Sequence, residues 1–140
     1  MSEIDYVAAL TERQKGHLPD HLGLEWLEAR PGFLRGRFTA AQHHIAPNGF
    51  LHAASVIALA DSACGYGCFI SLPEGGTGFT TIELKSNFLG TARAGEGVTA
   101  AARLVHGGRT TQVWDAEVTN ENSGKAMALF RCTQMVLYPK

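Results

Sequence analysis

Asp61 is the only charged residue in the run Val56-Ile57-Ala58-Leu59-Ala60-Asp61-Ser62-Ala63. Burying a carboxylate costs on the order of several kcal/mol unless it is paired or faces a cavity. Two readings follow. Asp61 is bonded to neighbouring backbone or to His52 and is purely structural, or it works in a cleft as a general base or nucleophile whose pKa its surroundings set. The stretch Asn48-Gly49-Phe50-Leu51-His52-Ala53-Ala54 comes just before it. If a helix starts there, its free backbone N–H groups and positive dipole end could polarise a carbonyl and stabilise an oxyanion. His52 precedes Asp61 by nine positions. That is about two and a half helical turns, so the two side chains need not meet, and His52 equally reads as a cap or a packing residue.

Other combinations carry less. Asp61, Cys64 and Cys68 share helical spacing, and His43-His44 precede them. No Cys-x-x-Cys or His-x-x-x-His accompanies them, so no metal site is expected. Cys64 lacks the positive neighbours that a nucleophilic thiolate needs. A Gly-x-Ser-x-Gly elbow and a phosphate loop are both missing from the sequence.

These residues need elements to position them. Ile4 to Lys15 reads as a short amphipathic helix ending at Gly16, the N-terminal part of a single domain spanning residues 1–140. Leu22 to Ala29 and Phe33 to Ala40 read as strands turned at Pro31-Gly32, after a loop containing Pro19. Ala46-Pro47-Asn48-Gly49 breaks the chain. Leu51 to Leu72 then reads as a central helix rich in Ala, Ser and Gly, stopped by Pro73 and Gly75-Gly76. Gly78 to Phe88 alternates, with Ile82, Leu84 and Phe88 on one face and Thr81, Glu83, Lys85 and Asn87 on the other. Val98 to His106, Thr110 to Thr119 and Ala126 to Tyr138 follow as strands with short turns. The pattern predicts an α+β fold: one curved antiparallel sheet wrapped around one long helix. Such a layer leaves edges and one face open, so an oligomer is expected.

A net charge of -1 without a basic run argues against a nucleic-acid partner. Three cysteines without regular spacing read as reduced thiols of a cytoplasmic protein. The first ten residues carry Glu3 and Asp5 and do not read as a secretory signal. Phe50 to Leu72 is long and apolar, but His52, Asp61 and its glycines favour a core helix over a membrane span.

The stretch from Asn48 to Gly67 resembles the PaaI-like branch of the hotdog-fold thioesterases, the 4-hydroxybenzoyl-CoA type. Gly49, His52, Asp61, Ala63 and Gly65 fall at that branch's spacings. Thr81 to Leu89, Gly108-Arg109-Thr110 and Cys132-Thr133 are similar to its later strands, so the likeness runs from about Phe33 to the C-terminus. The resemblance implies a hotdog fold and hydrolysis of a small or medium acyl-CoA, aromatic ones included, without a cofactor. It implies that Asp61 activates water or attacks the thioester carbonyl, and that the Ala53 N–H holds the oxyanion. Thr81, or Thr80 if the alignment slips by one, would hold the water, and Gly49 would lie against the substrate. It also implies sites shared between two subunits of a dimer, assembled further into a tetramer. Arg93, Arg103 and Arg109 are the candidates for the CoA phosphates. Two features depart from the branch: Ala53-Ala54 replace paired glycines, and Ala46 replaces an Asn or Gln that Asn48 could supply from two residues later. Two rival functions stay open. A hotdog dehydratase or hydratase would pair His52 with Asp61, and a non-catalytic acyl-CoA-binding module would have kept the fold alone.

Overall fold

A computed structural model describes residues 4–140. The helix expected over Ile4 to Lys15 falls within the described residues, and only residues 1–3 of the N-terminal segment 1–16 lie outside them. Within them it is α1, Tyr6–Arg13, capped by Asp5 Oδ1, which accepts from the Ala8 N–H at 3.0 Å.

Helix α1 leads to a four-residue helix α2 (Leu18–His21), then β1 (Glu25–Arg30) and β2 (Phe33–Thr39). A single 3₁₀ turn, Gln42–His44, precedes the long helix α3 (Ala53–Ile70). Four strands complete the chain: β3 (Gly78–Phe88), β4 (Gly97–Gly107), β5 (Thr111–Asn120) and β6 (Ala126–Leu137). They form one six-stranded antiparallel sheet in the order β1-β2-β4-β5-β6-β3, with α3 packed across it.

The sheet's inner face follows from alternation. Val98, Ala100 and Ala102 on β4, Trp114, Ala116 and Val118 on β5, and Ala128, Phe130 and Cys132 on β6 are all buried. They meet Leu59, Ala60, Ala63, Cys64 and Cys68 of α3. Small side chains let helix and sheet approach closely: a Cβ on Gly67 would lie 2.6 Å from the Trp114 ring. By composition α3 could cross a membrane, with mean hydropathy 1.5 over 18 residues, but half of that span is buried inside the domain. Its end is pinned twice. The Gly32 N–H donates to Ser71 Oγ at 2.9 Å, and Gln112 Nε2 donates to the Ser71 carbonyl at 2.9 Å.

Three local expectations are corrected. The segment expected as a loop around Pro19 contains α2, with Pro at its start, where a missing N–H is harmless. The first strand begins at Glu25 rather than Leu22, because Leu22 caps α2 and Gly23 turns the chain at φ +72°. Helix α3 starts two residues later and ends two residues earlier than expected.

The fourth difference bears on the site. The register between β3 and β6 shifts between Thr81 and Glu83, a bulge that takes up Ile82. Thr81 pairs with the inward Gln134, while Leu84 pairs with the inward Cys132. Thr81 therefore shares the inner face with Leu84 and Phe88, and strict alternation had put it on the opposite one. Strand β3 is also an open edge, with Ile82 52%, Leu84 41% and Phe88 44% exposed.

Candidate active site

Asp61 sits at the ninth residue of α3, half-buried, one helical turn before Gly65, whose Cα faces Phe79 of β3. Its Oδ1 is buried and, among the described residues, has no hydrogen-bond partner. Burial alone pushes its pKa above the ordinary 3.8, with no cation offsetting the effect. The purely structural reading required a bond to backbone or to His52, and for this oxygen neither is present.

The start of α3 is built by the loop before it. Gly49 takes φ +88°, a conformation open to glycine, so the chain can reverse between Ala46 and Phe50. The Gly49 N–H donates to the Ala46 carbonyl at 2.9 Å, and the Ala46 N–H donates to the Phe50 carbonyl at 2.7 Å. Asn48 closes the turn: its Oδ1 accepts from the Phe50 N–H at 3.1 Å. The Asn48 carbonyl oxygen is thus committed locally, and its amide NH₂ is what it can still offer.

His52 is the N-cap, with Nδ1 accepting from the Ala54 N–H at 2.9 Å. That bond places the ring proton of the neutral imidazole on Nε2. Nine residues of helix separate His52 from Asp61, on the order of 13 Å along the axis, so the two do not form an acid–base pair within one chain. Ala53 is the first residue of α3 and is exposed. Its N–H has no acceptor among the described residues, and it lies at the positive end of the helix dipole.

Thr81 is half-buried, and its hydroxyl donates to Gln134 Oε1 at 2.8 Å. Thr80 is exposed and pairs with Met135, on the outer face. Of the two threonines, only Thr81 lies on the helix side of the sheet.

The arginines are dispersed. Arg93 and Gly49 line one pocket of about 500 Å³ beside the loop that leads into α3. Arg103 stacks over the Phe33 ring at 4.8 Å on the outer face of the sheet. There it borders a wider groove of about 760 Å³ with Lys85, Asp115, Glu117 and Arg131. Arg109 lies at the β4–β5 hairpin, its carbonyl accepting from the Tyr138 hydroxyl. Asp61 lines neither pocket.

The chain matches the thioesterase superfamily model over residues 48–127. The chain belongs to the thioesterase superfamily. It is 30% identical over 116 residues to 1,4-dihydroxy-2-naphthoyl-CoA hydrolase of Listeria monocytogenes, covering 83% of this chain and 92% of the relative. It superposes on a mutant of the thioesterase PA1618 from Pseudomonas aeruginosa with a TM-score of 0.88 at 28% identity, over 97% and 96% of the two chains. The PaaI protein of Escherichia coli, from the phenylacetic acid degradation operon, gives a TM-score of 0.82 at 26% identity, over 92% and 90%. The fold is the hotdog fold of these proteins, and the activity is thioester hydrolysis.

Within this thioesterase, the sequence reading overlooked Gln134, fully buried on β6 and bonded to Thr81. Alternation through Ala128, Phe130, Cys132, Gln134 and Val136 was the available signal, since it places a polar residue in an inward series. The three thiols are buried and free. A bond to Cys132 and burial push Cys64 well up, and burial pushes Cys68 up to about 12, so neither is a nucleophile at neutral pH. Among the described residues, no three His, Cys, Asp or Glu side chains gather into a metal-binding group.

Proposed function

We propose that this thioesterase hydrolyses acyl-CoA esters with small or medium acyl groups, aromatic ones included, through Asp61. The observation that carries this reading is the buried, unbonded Oδ1 of Asp61. An oxygen held out of water without a donor costs free energy, and that cost is offset in function if the oxygen receives a proton from a nucleophilic water. In that sequence Asp61 takes one water proton and the water oxygen attacks the thioester carbonyl carbon. The Ala53 N–H of the other copy stabilises the oxyanion, since within one chain α3 holds Ala53 and Asp61 about 12 Å apart, and collapse expels the CoA thiolate, which takes up a proton. Water and thioester become free acid and CoA thiol. No cofactor is needed, because a carboxylate, a helix end and water supply every group. Direct attack by Asp61 gives the same products through an anhydride. Label in the Asp61 carboxylate after a single turnover in ¹⁸O-water identifies the anhydride route, opened by water at the Asp61 carbonyl.

Thr81 completes the reading by holding the water. The site is shared: two copies join through their β3 edges, bringing Asp61 of one copy to Thr81 of the other, and two dimers form a tetramer. Support comes from the exposed apolar edge of β3 and from the placing of Asp61 outside both pockets described above. CoA lies along that boundary, with Arg93 as the phosphate contact nearest the start of α3. Buried free thiols suit a reducing cytoplasm.

The test is release of CoA, followed with a thiol reagent, from purified protein across aliphatic and aromatic acyl-CoAs. Asp61→Ala is expected to lower turnover by at least about a hundredfold. Turnover that persists in this variant defeats the assignment.

A further inference from the structure

We infer that Gln134 is a positioning residue for the reaction: it commits the Thr81 hydroxyl proton, so that Thr81 can only accept a hydrogen bond from the attacking water. The inference rests on the reading above, in which Thr81 holds that water.

Gln134 is 0% exposed, on an inward strand position between Cys132 and Val136. An amide there costs free energy unless its groups are bonded, and an aliphatic residue of like size would pack without that cost. Its bonds return little to the fold. Oε1 accepts from the Thr81 hydroxyl at 2.8 Å, while Nε2 reaches only Cys132 Sγ at 3.4 Å, a weak acceptor. The strong bond is thus the one to Thr81. The bulge at Ile82 makes it possible, since without that register shift Thr81 would face away from Gln134.

A hydroxyl has one proton. With that proton given to Gln134, the Thr81 oxygen presents lone pairs and accepts a hydrogen bond from one O–H of the water, whose proton stays on the water oxygen. Asp61 takes the other water proton, so the two acceptors orient the water oxygen towards the carbonyl. Without Gln134 the hydroxyl rotates freely, and its proton can turn to the water oxygen or to the Asp61 carboxylate. Either arrangement weakens the nucleophile or the base.

The test is a double-mutant cycle on the full-length enzyme. Thr81→Val and Gln134→Met should each lower kcat about tenfold with KM little changed, and the double variant should lose no more than either single one. Gln134→Glu should retain kcat at or below neutral pH. Buried and protonated, it still offers an oxygen to Thr81 and an O–H to Cys132. A purely structural role would give multiplicative losses that track Tm, with no rescue by Glu. Native kcat in Gln134→Met, or multiplicative losses in the double variant, overturns the inference. If Gln134→Met does not fold, the native protein decides by NMR. A slowly exchanging Thr81 hydroxyl proton with a cross-peak to the Gln134 side chain is expected, and its absence overturns the inference. Turnover in the native enzyme that survives in Thr81→Val overturns this inference alone. Absence of CoA release from every acyl-CoA overturns the acyl-CoA reading and this inference together.

Discussion

At Asp61, ionisation and folding oppose one another. Burial raises its folded pKa above the unfolded 3.8, so the charged form is the one the fold disfavours. Below about pH 3.8 both states are protonated and the effect is absent. It grows as pH rises through the folded value and is fully present above it. Asp61→Asn should therefore be more stable than the native protein at neutral pH, and the difference should vanish in acid. Thermal unfolding at a series of pH values reads this directly, and a variant destabilised at pH 7 would show that the carboxylate has a stabilising partner. The same shift places the acid limb of the kcat/KM profile above the range of an exposed carboxylate. Ala53 permits a cleaner test of the oxyanion donor than a side-chain deletion. Proline is tolerated at the first position of a helix and removes only the N–H. Ala53→Pro should keep Tm within a few degrees and lower kcat about a hundredfold or more. Unchanged kcat would mean that another donor holds the oxyanion. The places of Asp61 within α3 and of Ala53 at its start were legible in the sequence, because an apolar run and a helix start after a Pro-Asn-Gly break are both local signals. The face of Thr81 was not legible. It depends on a one-residue bulge, and a bulge leaves no trace in alternation until the partner strand's register is known.

Helix α3 is where local and tertiary signals agree. Its small residues and its Pro-Gly stop gave its extent to within two residues at each end, because both express what the sheet demands of it: a thin face and a definite end. The shortest elements were illegible for the converse reason. Four residues of α2 and three of the 3₁₀ turn are too few to show a period, and tertiary bonds hold them. His44, buried at 2% exposure, has Nδ1 accepting from the Ala41 N–H at 2.9 Å and Nε2 donating to the Leu22 carbonyl at 2.7 Å. Burial holds its pKa below 6.5. The packing requirement on α3 is testable at Gly67. Alanine normally gains up to about 1 kcal/mol over glycine inside a helix. Here its Cβ would stand 2.6 Å from the fully buried Trp114 ring, and overpacking of that kind costs about 1–3 kcal/mol. The second effect wins, so Gly67→Ala should lower Tm. A rise in Tm would mean that Trp114 moves aside freely and that the close helix–sheet approach is not constrained at this point.

For the whole molecule the question is what the open edge of the sheet meets. Strand β6 pairs with one side of β3, and the other side offers a row of backbone donors and acceptors flanked by exposed Ile82, Leu84 and Phe88. Soluble proteins blunt such edges with charge, proline or short strands. Here the edge runs for 11 residues, without proline, and the bulge interrupts it only at Ile82. Joined edge to edge about a two-fold axis, two copies would continue one sheet through both chains and cover that apolar row. The assembly and the activity would then be linked, because such a dimer would bring Thr81 of one copy to the α3 of the other. A charge placed in the row tests both at once. Ile82→Lys leaves the buried face of the sheet untouched, so the chain should still fold. Sedimentation should then move from an oligomer towards the mass of one 15.0 kDa chain. Turnover should fall with protein concentration as the dimer dissociates, and it should recover at high concentration. An Ile82→Lys protein that sediments as a monomer yet hydrolyses acyl-CoA at the native rate would place the entire site within one chain. A native protein that is monomeric at micromolar concentration would remove the reason for the uncovered edge, and the shared-site reading with it.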